Sequence, residues 1–141
     1  MSDSSNQTSL AELAERADEA ARTATAIAQF TDTIELGVAD AYAIQALSVG
    51  RRLQRGEQMV GIKMGLTSRA KMIQVGVDEV IWGRLTDAMR VADGDTLRRG
   101  RYVHPRVEPE IAFLMGAPLA GRVSGAEAMA AVAAVAPAAE I

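Results

Sequence analysis

The chain has no cysteine and a single histidine, His104, in its 141 residues. Without cysteine there is no disulfide, no thiolate metal site and no thiol nucleophile, and the composition suits a reducing cytoplasm. With one histidine and no thiolate, zinc lacks its usual ligands. Any metal must be a hard cation held by oxygen, which means Mg, Mn or Ca. Long apolar runs are also missing. The longest, near residues 128–139, is Ala-rich, contains Pro137 and is too short to span a bilayer, so no membrane partner is expected. The N-terminus lacks the basic region and apolar core of a signal peptide. Net charge is -3 and the Lys and Arg residues are scattered, so nothing marks a nucleic-acid surface. The small basic cluster Arg98-Arg99-Gly100-Arg101 reads as a solvated turn. What remains is an ordinary globular balance, 49% hydrophobic and 23% charged, enough for a single domain with a modest core.

The coarse organisation is α+β. Residues 1–8 are Ser/Asn/Thr/Gln-rich and read as a frayed tail. Residues 9–56 form a helical layer. Ser9-Leu10-Ala11-Glu12 is a capping box, and a helix should run from it to about Ala28 on an apolar stripe of Leu10, Leu13, Ala14, Ala17 and Ala21. Thr31-Asp32-Thr33 breaks it. A second helix spans about Ala39 to Arg55, with Tyr42, Ala46, Val49 and Leu53 as its stripe and Gly56 as its cap. From residue 57 to 141 the texture turns to strand and turn. Met59 to Leu66 reads as a strand carrying one lysine. Thr67-Ser68 caps a short helix over Arg69–Val75 that Gly76 ends, and Val77 to Leu85 is loop and then strand edge. Asp93-Gly94-Asp95 marks a turn. Thr96 to Met115 is extended in pieces, and Gly116 to Gly121 is another turn. Ser124 with Glu127 opens a helix that should run to Val135, where Pro137 stops it.

The stretch that concentrates chemistry is His104-Pro105-Arg106-Val107-Glu108-Pro109-Glu110-Ile111-Ala112-Phe113. In a strand Glu108 and Glu110 share a face, roughly 6.6–6.8 Å apart along it. Pro109 points the other way and donates no hydrogen bond, which places the strand at an edge or bulge. Residues before proline are pushed towards extended geometry, which restrains Glu108 and His104. Two like charges on one face repel unless water or a cation separates them. A Mg²⁺ held at about 2.1 Å would settle the conflict, and a solvated strand face is the other reading of the same spacing. Lys63, between Ile62 and Met64, either snorkels to water or sits beside an anion such as a substrate carboxylate. Thr67 and Ser68 offer hydroxyls and N–H groups at a helix start, as caps or as a carboxylate cradle. His104 can shuttle protons or simply bond the backbone. Asp78 and Glu79 read as turn formers, ligands or bases, and Trp82 as a core or pocket wall rather than a stacking platform.

These motifs occur in one order. Asp40-Ala41-Tyr42 with Gln45 comes first, followed by Gly61-Ile62-Lys63-Met64-Gly65-Leu66-Thr67-Ser68 with Ala70-Lys71-Met72. Gly76-Val77 and then His104-Pro105-Arg106-Val107-Glu108-Pro109-Glu110-Ile111 complete the series. It resembles the hydratase/decarboxylase family of the meta-cleavage pathways for aromatic breakdown, in the fumarylacetoacetate hydrolase-like superfamily. The resemblance covers about residues 34–141. It implies Mg²⁺ or Mn²⁺ held by three carboxylates, Glu108, Glu110 and, in a Pro-x-x-Glu pattern, Glu140. It also implies a strand lysine at Lys63 as the catalytic cation, and a substrate-facing turn at Leu66-Thr67-Ser68. The two activities of the family differ after Gly76-Val77. Hydratases of 2-hydroxypenta-2,4-dienoate carry an acid where this chain reads Val80-Ile81-Trp82-Gly83. Ile81 therefore resembles the 4-oxalocrotonate decarboxylases, although Val80 and Trp82 depart from both patterns. An apolar Ile81 and Trp82 would favour loss of neutral CO₂ from a 2-oxo acid by excluding water.

Chains of the family run to roughly twice this length. The expected fold is thus a helical layer followed by part of a fumarylacetoacetate hydrolase-like mixed sheet or barrel, truncated. Its exposed strand edges predict poor solubility or obligate association, either with copies of itself or with a pathway hydratase. An inactive fragment serving as an interaction module is the reading from outside the enzyme class.

Overall fold

The structure is a computed structural model that describes residues 8–141. The tail expected over residues 1–8 lies, apart from Thr8, outside the described residues. Contacts gather the chain into two compact units, Met1–Val103 and His104–Ile141.

In the first unit, α1 (Leu10–Thr23) begins with the reciprocal cap written in the sequence. Ser9 Oγ accepts the Glu12 N–H at 3.2 Å, and the Glu12 carboxylate accepts the Ser9 N–H at 2.7 Å. The helix ends at Thr23 and does not reach Ala28. Ala24 turns left-handed (φ 50°), and the N–H groups of Ala24 and Thr25 close onto the carbonyls of Ala21 and Ala20. That closure satisfies the last helical acceptors. The Thr23 hydroxyl also bonds back to the Glu19 carbonyl at 2.8 Å, the local competition that makes threonine a weak helix continuer. Helix α2 (Val38–Gln54) starts where the Asp40 carboxylate accepts the Gly37 N–H at 3.0 Å. It closes at Gly56, whose φ of 98° suits a residue without a Cβ.

Leu13 and Ala14 of α1 pack on Ile44 of α2, with Leu10, Phe30, Ile34 and Leu36 around them. The expected α2 stripe is met at Val49, which is buried, and at Tyr42, which is half-buried, and missed at its other two positions. Ile44 and Val49 are buried, whereas Ala46 and Leu53 are exposed. The reason is that α2 serves two neighbours, α1 through Ile44 and a strand through Tyr42 and Gln45, so its inward surface is wider than one stripe. Asp18, one helical turn after Ala14, is 1% exposed. It accepts a bidentate pair from Arg55 at 2.6 and 2.7 Å and a third bond from Arg51 at 3.0 Å. These bonds staple α1 to the C-terminal end of α2.

Strands β1 (Met59–Gly65) and β2 (Ile81–Thr86) pair antiparallel, connected through α3 (Arg69–Val75). Ser68 Oγ caps α3 by accepting the Lys71 N–H at 3.3 Å, and Gly76 ends it at φ 76°. The hairpin base is tied by the Gln58 N–H on the Asp87 carboxylate and the Asp87 N–H on the Gln58 carbonyl, both at 2.9 Å. The turn expected at Asp93-Gly94-Asp95 is present, with Gly94 at φ 82°.

The second unit holds β3 (Glu108–Met115), α4 (Gly125–Ala130) and β4 (Val132–Glu140). Here the helix expected from Ser124 to Val135 is corrected. Its capping box forms, but it stops at Ala130 and the chain passes into β4, antiparallel to β3. Met115 faces Val132 and Phe113 faces Val135, so cross-strand pairing of β-branched and aromatic residues overrides the helical leaning of the alanines. Pro137 is consequently inside a strand and stops no helix. Pro109 faces Ala139 and Pro137 faces Ile111, two residues further along. Both prolines thus fall in the same phase of the ladder, and in the non-hydrogen-bonded phase neither missing N–H is required. His104 also differs from expectation: it is left-handed at φ 49°, a state in which histidine is among the commoner non-glycine residues. Among the described residues no helix is long and apolar enough to cross a membrane.

Candidate functional site

Each unit carries a separate part of the expected chemistry. In the second unit Glu108 stands opposite Glu140, and Glu110 stands opposite Ala138. Directly opposed residues of an antiparallel pair share a face, as do residues i and i+2 of one strand. Glu108, Glu110 and Glu140 therefore share one face at the open end of the hairpin. Ala112, Ala136 and Ala138 continue that face with small side chains. Pro109, Ile111, Phe113, Val135, Pro137 and Ala139 occupy the other. Glu108 and Glu110 are exposed and Glu140 is half-buried. The donor set is all carboxylate oxygen, which fits Mg²⁺, Mn²⁺ or Ca²⁺ and does not suit a soft metal. Among the described residues no three His, Asp or Glu side chains are gathered into a ready cage. Like charges facing one another across a ladder repel, and it is the register that puts these three on one face.

In the first unit Lys63 faces Gly83 across the β1–β2 ladder. Its stem crosses the bare Cα of that glycine. A Cβ built at Gly83 would lie 3.2 Å from Lys63 Cγ and 3.5 Å from Cδ. Gly65 makes the same kind of room for Ile81, since a Cβ there would lie 2.9 Å from Ile81 Cγ1. The two glycines flanking the motif residues are thus seats for the side chains opposite. Lys63, Ile81 and Gly83 share one face of the hairpin, and Lys63 is half-buried on it. Trp82 is on the opposite face, stacked on Tyr42 with ring centroids 5.0 Å apart and 18° between planes. Of the two residues expected to exclude water, the structure brings Ile81 to the lysine's face and turns Trp82 to the helical side.

After β1 the chain turns sharply. Leu66 is left-handed at φ 55°, an uncommon state for a branched residue. Thr67 is exposed, and the Ser68 hydroxyl is engaged as the α3 cap. Asp78 and Glu79 are exposed in the connection to β2.

Sequence reasoning assigned no chemistry to α2. The structure shows α2 holding β2 by its open edge. The Gln45 amide nitrogen donates to the Trp82 carbonyl at 3.1 Å, and its oxygen accepts the Arg84 N–H at 3.2 Å. The Tyr42 hydroxyl accepts the Trp82 N–H at 3.2 Å. One glutamine side chain thus pairs with the strand as a neighbouring strand would. Its signal was present in the motif Asp40-Ala41-Tyr42 with Gln45, where Tyr42 and Gln45 are three residues apart and so share a helix face.

Comparison with known proteins agrees with the motif reading. No family model matches the chain. A 4-oxalocrotonate decarboxylase from Pseudomonas sp is 51% identical over 132 residues, 94% of this chain and 52% of the relative. A 2-keto-4-pentenoate hydratase from Paraburkholderia xenovorans (strain LB400) is 43% identical over 91 residues, 64% of this chain and 34% of the relative. Among solved structures, 4-oxalocrotonate decarboxylase from Pseudomonas putida G7, complexed with magnesium and adipate, superposes with a TM-score of 0.86 at 38% identity. That match covers 93% of this chain and 51% of the solved one. The same enzyme complexed with calcium and acetate matches equally. The fold is that of the N-terminal half of the fumarylacetoacetate hydrolase-like decarboxylase. The chain is similar to 4-oxalocrotonate decarboxylases and 2-keto-4-pentenoate hydratases, and it spans between about a third and a half of the length of the curated relatives it matches.

Proposed function

We propose that the chain carries the metal-holding carboxylates and the substrate-facing lysine of a 4-oxalocrotonate decarboxylase, acting on a 2-oxo acid of aromatic meta-cleavage catabolism in the cytoplasm. The observation that carries the reading is the β3–β4 register, which sets Glu108, Glu110 and Glu140 on one face.

In this reading the three glutamates hold Mg²⁺ or Mn²⁺, the hard cations that an all-carboxylate set accommodates. When bound, the metal supplies a Lewis acid for the 1-carboxylate and 2-oxo oxygens of the substrate, and so an electron sink for a carboxylate vinylogously β to that ketone. Lys63 supplies a positive charge for a substrate carboxylate, and its position is restricted by the seat at Gly83. Ile81, on the same face, keeps the lysine's surroundings apolar and offers no base to activate water. Trp82 serves by fixing β2 on α2 through its stack and its backbone bonds to Tyr42 and Gln45. Leu66 and Thr67 form the turn that faces the acid end of the substrate. Ser68 contributes through the α3 start that it caps.

Hydration of 2-hydroxypenta-2,4-dienoate is the second reading, supported by the hydratases among the relatives and disfavoured by Ile81. The exposed apolar residues Ile111, Phe113, Leu114 and Val135 support an assembly, with further copies or with a pathway hydratase. Incubation of the purified chain with 2-oxohex-3-enedioate and Mg²⁺ separates the readings. Released CO₂ is the expected result. Consumption of 2-hydroxypenta-2,4-dienoate supplied in a parallel incubation, with no CO₂ from 2-oxohex-3-enedioate, would favour the hydratase, and inertness of a folded protein towards both would favour an interaction module.

A further inference from the structure

We propose that Gln45 is a positioning residue for Lys63, acting through the backbone of β2. Gly83 is the residue whose bare Cα seats the Lys63 stem, with Cγ 3.2 Å from where a Cβ would stand. The two residues that flank it, Trp82 and Arg84, are the two whose backbone groups Gln45 holds, by the carbonyl of one and the N–H of the other. In an antiparallel strand the groups of residues i and i+2 leave by the same edge, and those of i+1 leave by the opposite edge. Gln45 therefore grips β2 on its open edge while Gly83 faces Lys63 across the ladder. Tyr42 adds a third bond at the Trp82 N–H and a ring stack. The result is a short lever, from the α2 side chain to the strand backbone on both sides of one glycine, and from that glycine to the lysine stem. An edge strand without such a partner keeps unpaired groups and frays more readily.

The inference rests on the reading of Lys63 as the substrate-facing cation, but its test needs neither substrate nor metal. An inert chain would sink the proposed activity and leave this result standing. Lys63 and Lys71 are the only lysines, so Lys71, exposed on α3, is an internal reference. Competitive acetylation with acetic anhydride at one fixed pH, read by peptide mass spectrometry, gives the Lys63-to-Lys71 labelling ratio. Gln45→Leu is expected to raise that ratio severalfold. Gln45→Glu, which keeps an acceptor for the Arg84 N–H and loses the donor to the Trp82 carbonyl, should fall between wild type and Gln45→Leu. Gly83→Ala should raise the ratio with Gln45 intact, and it carries the test with Gln45→Glu if Gln45→Leu fails to fold. Ile44→Ala, a core cut on the α1 side of the same helix, should leave the ratio at the wild-type value. An unchanged ratio in the Gln45 and Gly83 variants, or an equal rise in Ile44→Ala, would overturn the proposal.

Discussion

The chain holds two antiparallel hairpins that are stabilised in different ways. The β1–β2 hairpin is held from outside its own ladder, since Tyr42 and Gln45 of α2 bond its open edge, the Glu57 carboxylate accepts the Thr86 hydroxyl, and Asp87 ties its base to Gln58. The β3–β4 hairpin rests on its ladder and the six-residue helix α4, and both its faces are largely exposed. The first hairpin presents Lys63, seated by a glycine. The second presents three carboxylates that the register puts on one face. The difference shows two routes to a placed side chain. One is steric, through a missing Cβ and a clamped strand. The other is topological, through which residues a ladder makes neighbours.

The contrast can be tested by cutting each support in turn. The largest expected effect is in the helical layer on which the clamp is built. Leu13 is fully buried among Ala14 and Ile44, so Leu13→Ala should lower stability by about 2–5 kcal/mol in urea unfolding, by transfer loss and cavity formation. In urea the β1–β2 hairpin should lose its hydrogen-exchange protection together with the helical layer, and a hairpin that stays protected after that layer has unfolded would break the claim that α2 supports it.

Next comes the staple at Asp18. Arg55, with Arg51 beside it, holds the Asp18 carboxyl below the usual carboxylate range in spite of its burial. The folded state therefore binds that proton less readily than the unfolded chain. Its contribution is complete above the ordinary carboxylate pKa and is lost as pH falls through the folded value. Asp18→Asn should cost about 1–3 kcal/mol at neutral pH, less than a fully buried pair would, because both arginines reach water. The variant should also lose less stability than wild type on acidification. Equal acid sensitivity in the two proteins would contradict the assignment.

The smallest stability change is expected in the second unit. Ser124→Ala removes the Oγ that accepts the Glu127 N–H at 3.2 Å and should cost about 1 kcal/mol. By amide exchange the loss should be confined to α4 and β4, with β1–β2 unaffected.

Much of this arrangement was legible in the sequence where the cause is local. The capping boxes at Ser9 and Ser124, the glycine stops at Gly56 and Gly76, the Asp93-Gly94-Asp95 turn and the Lys63 strand all depend on residues within a few positions of one another. What was not legible depends on distant partners. Residues 131–135 are helix-prone alanines and valines until Phe113 and Met115 pair with them. Asp18 is an ordinary helix acid until Arg55 arrives from 37 positions away. The shared face of Glu108 and Glu110 follows from their spacing, but the place of Glu140 opposite Glu108 needs the register. Gln45 was visible as part of a motif, and its role appears only when β2 is beside it.

The central claim is that register makes Glu108, Glu110 and Glu140 one metal-holding face. Calorimetric titration of Mg²⁺ into the wild-type chain, Glu108→Gln and Glu140→Gln tests it most directly. The account predicts one saturable site in wild type and a loss of affinity of about tenfold or more in each variant, equivalent to about 1.4 kcal/mol or more. Mg²⁺ affinity in Glu140→Gln equal to wild type, with Glu108→Gln impaired, would show that the residue opposite Glu108 is no ligand and would contradict the account.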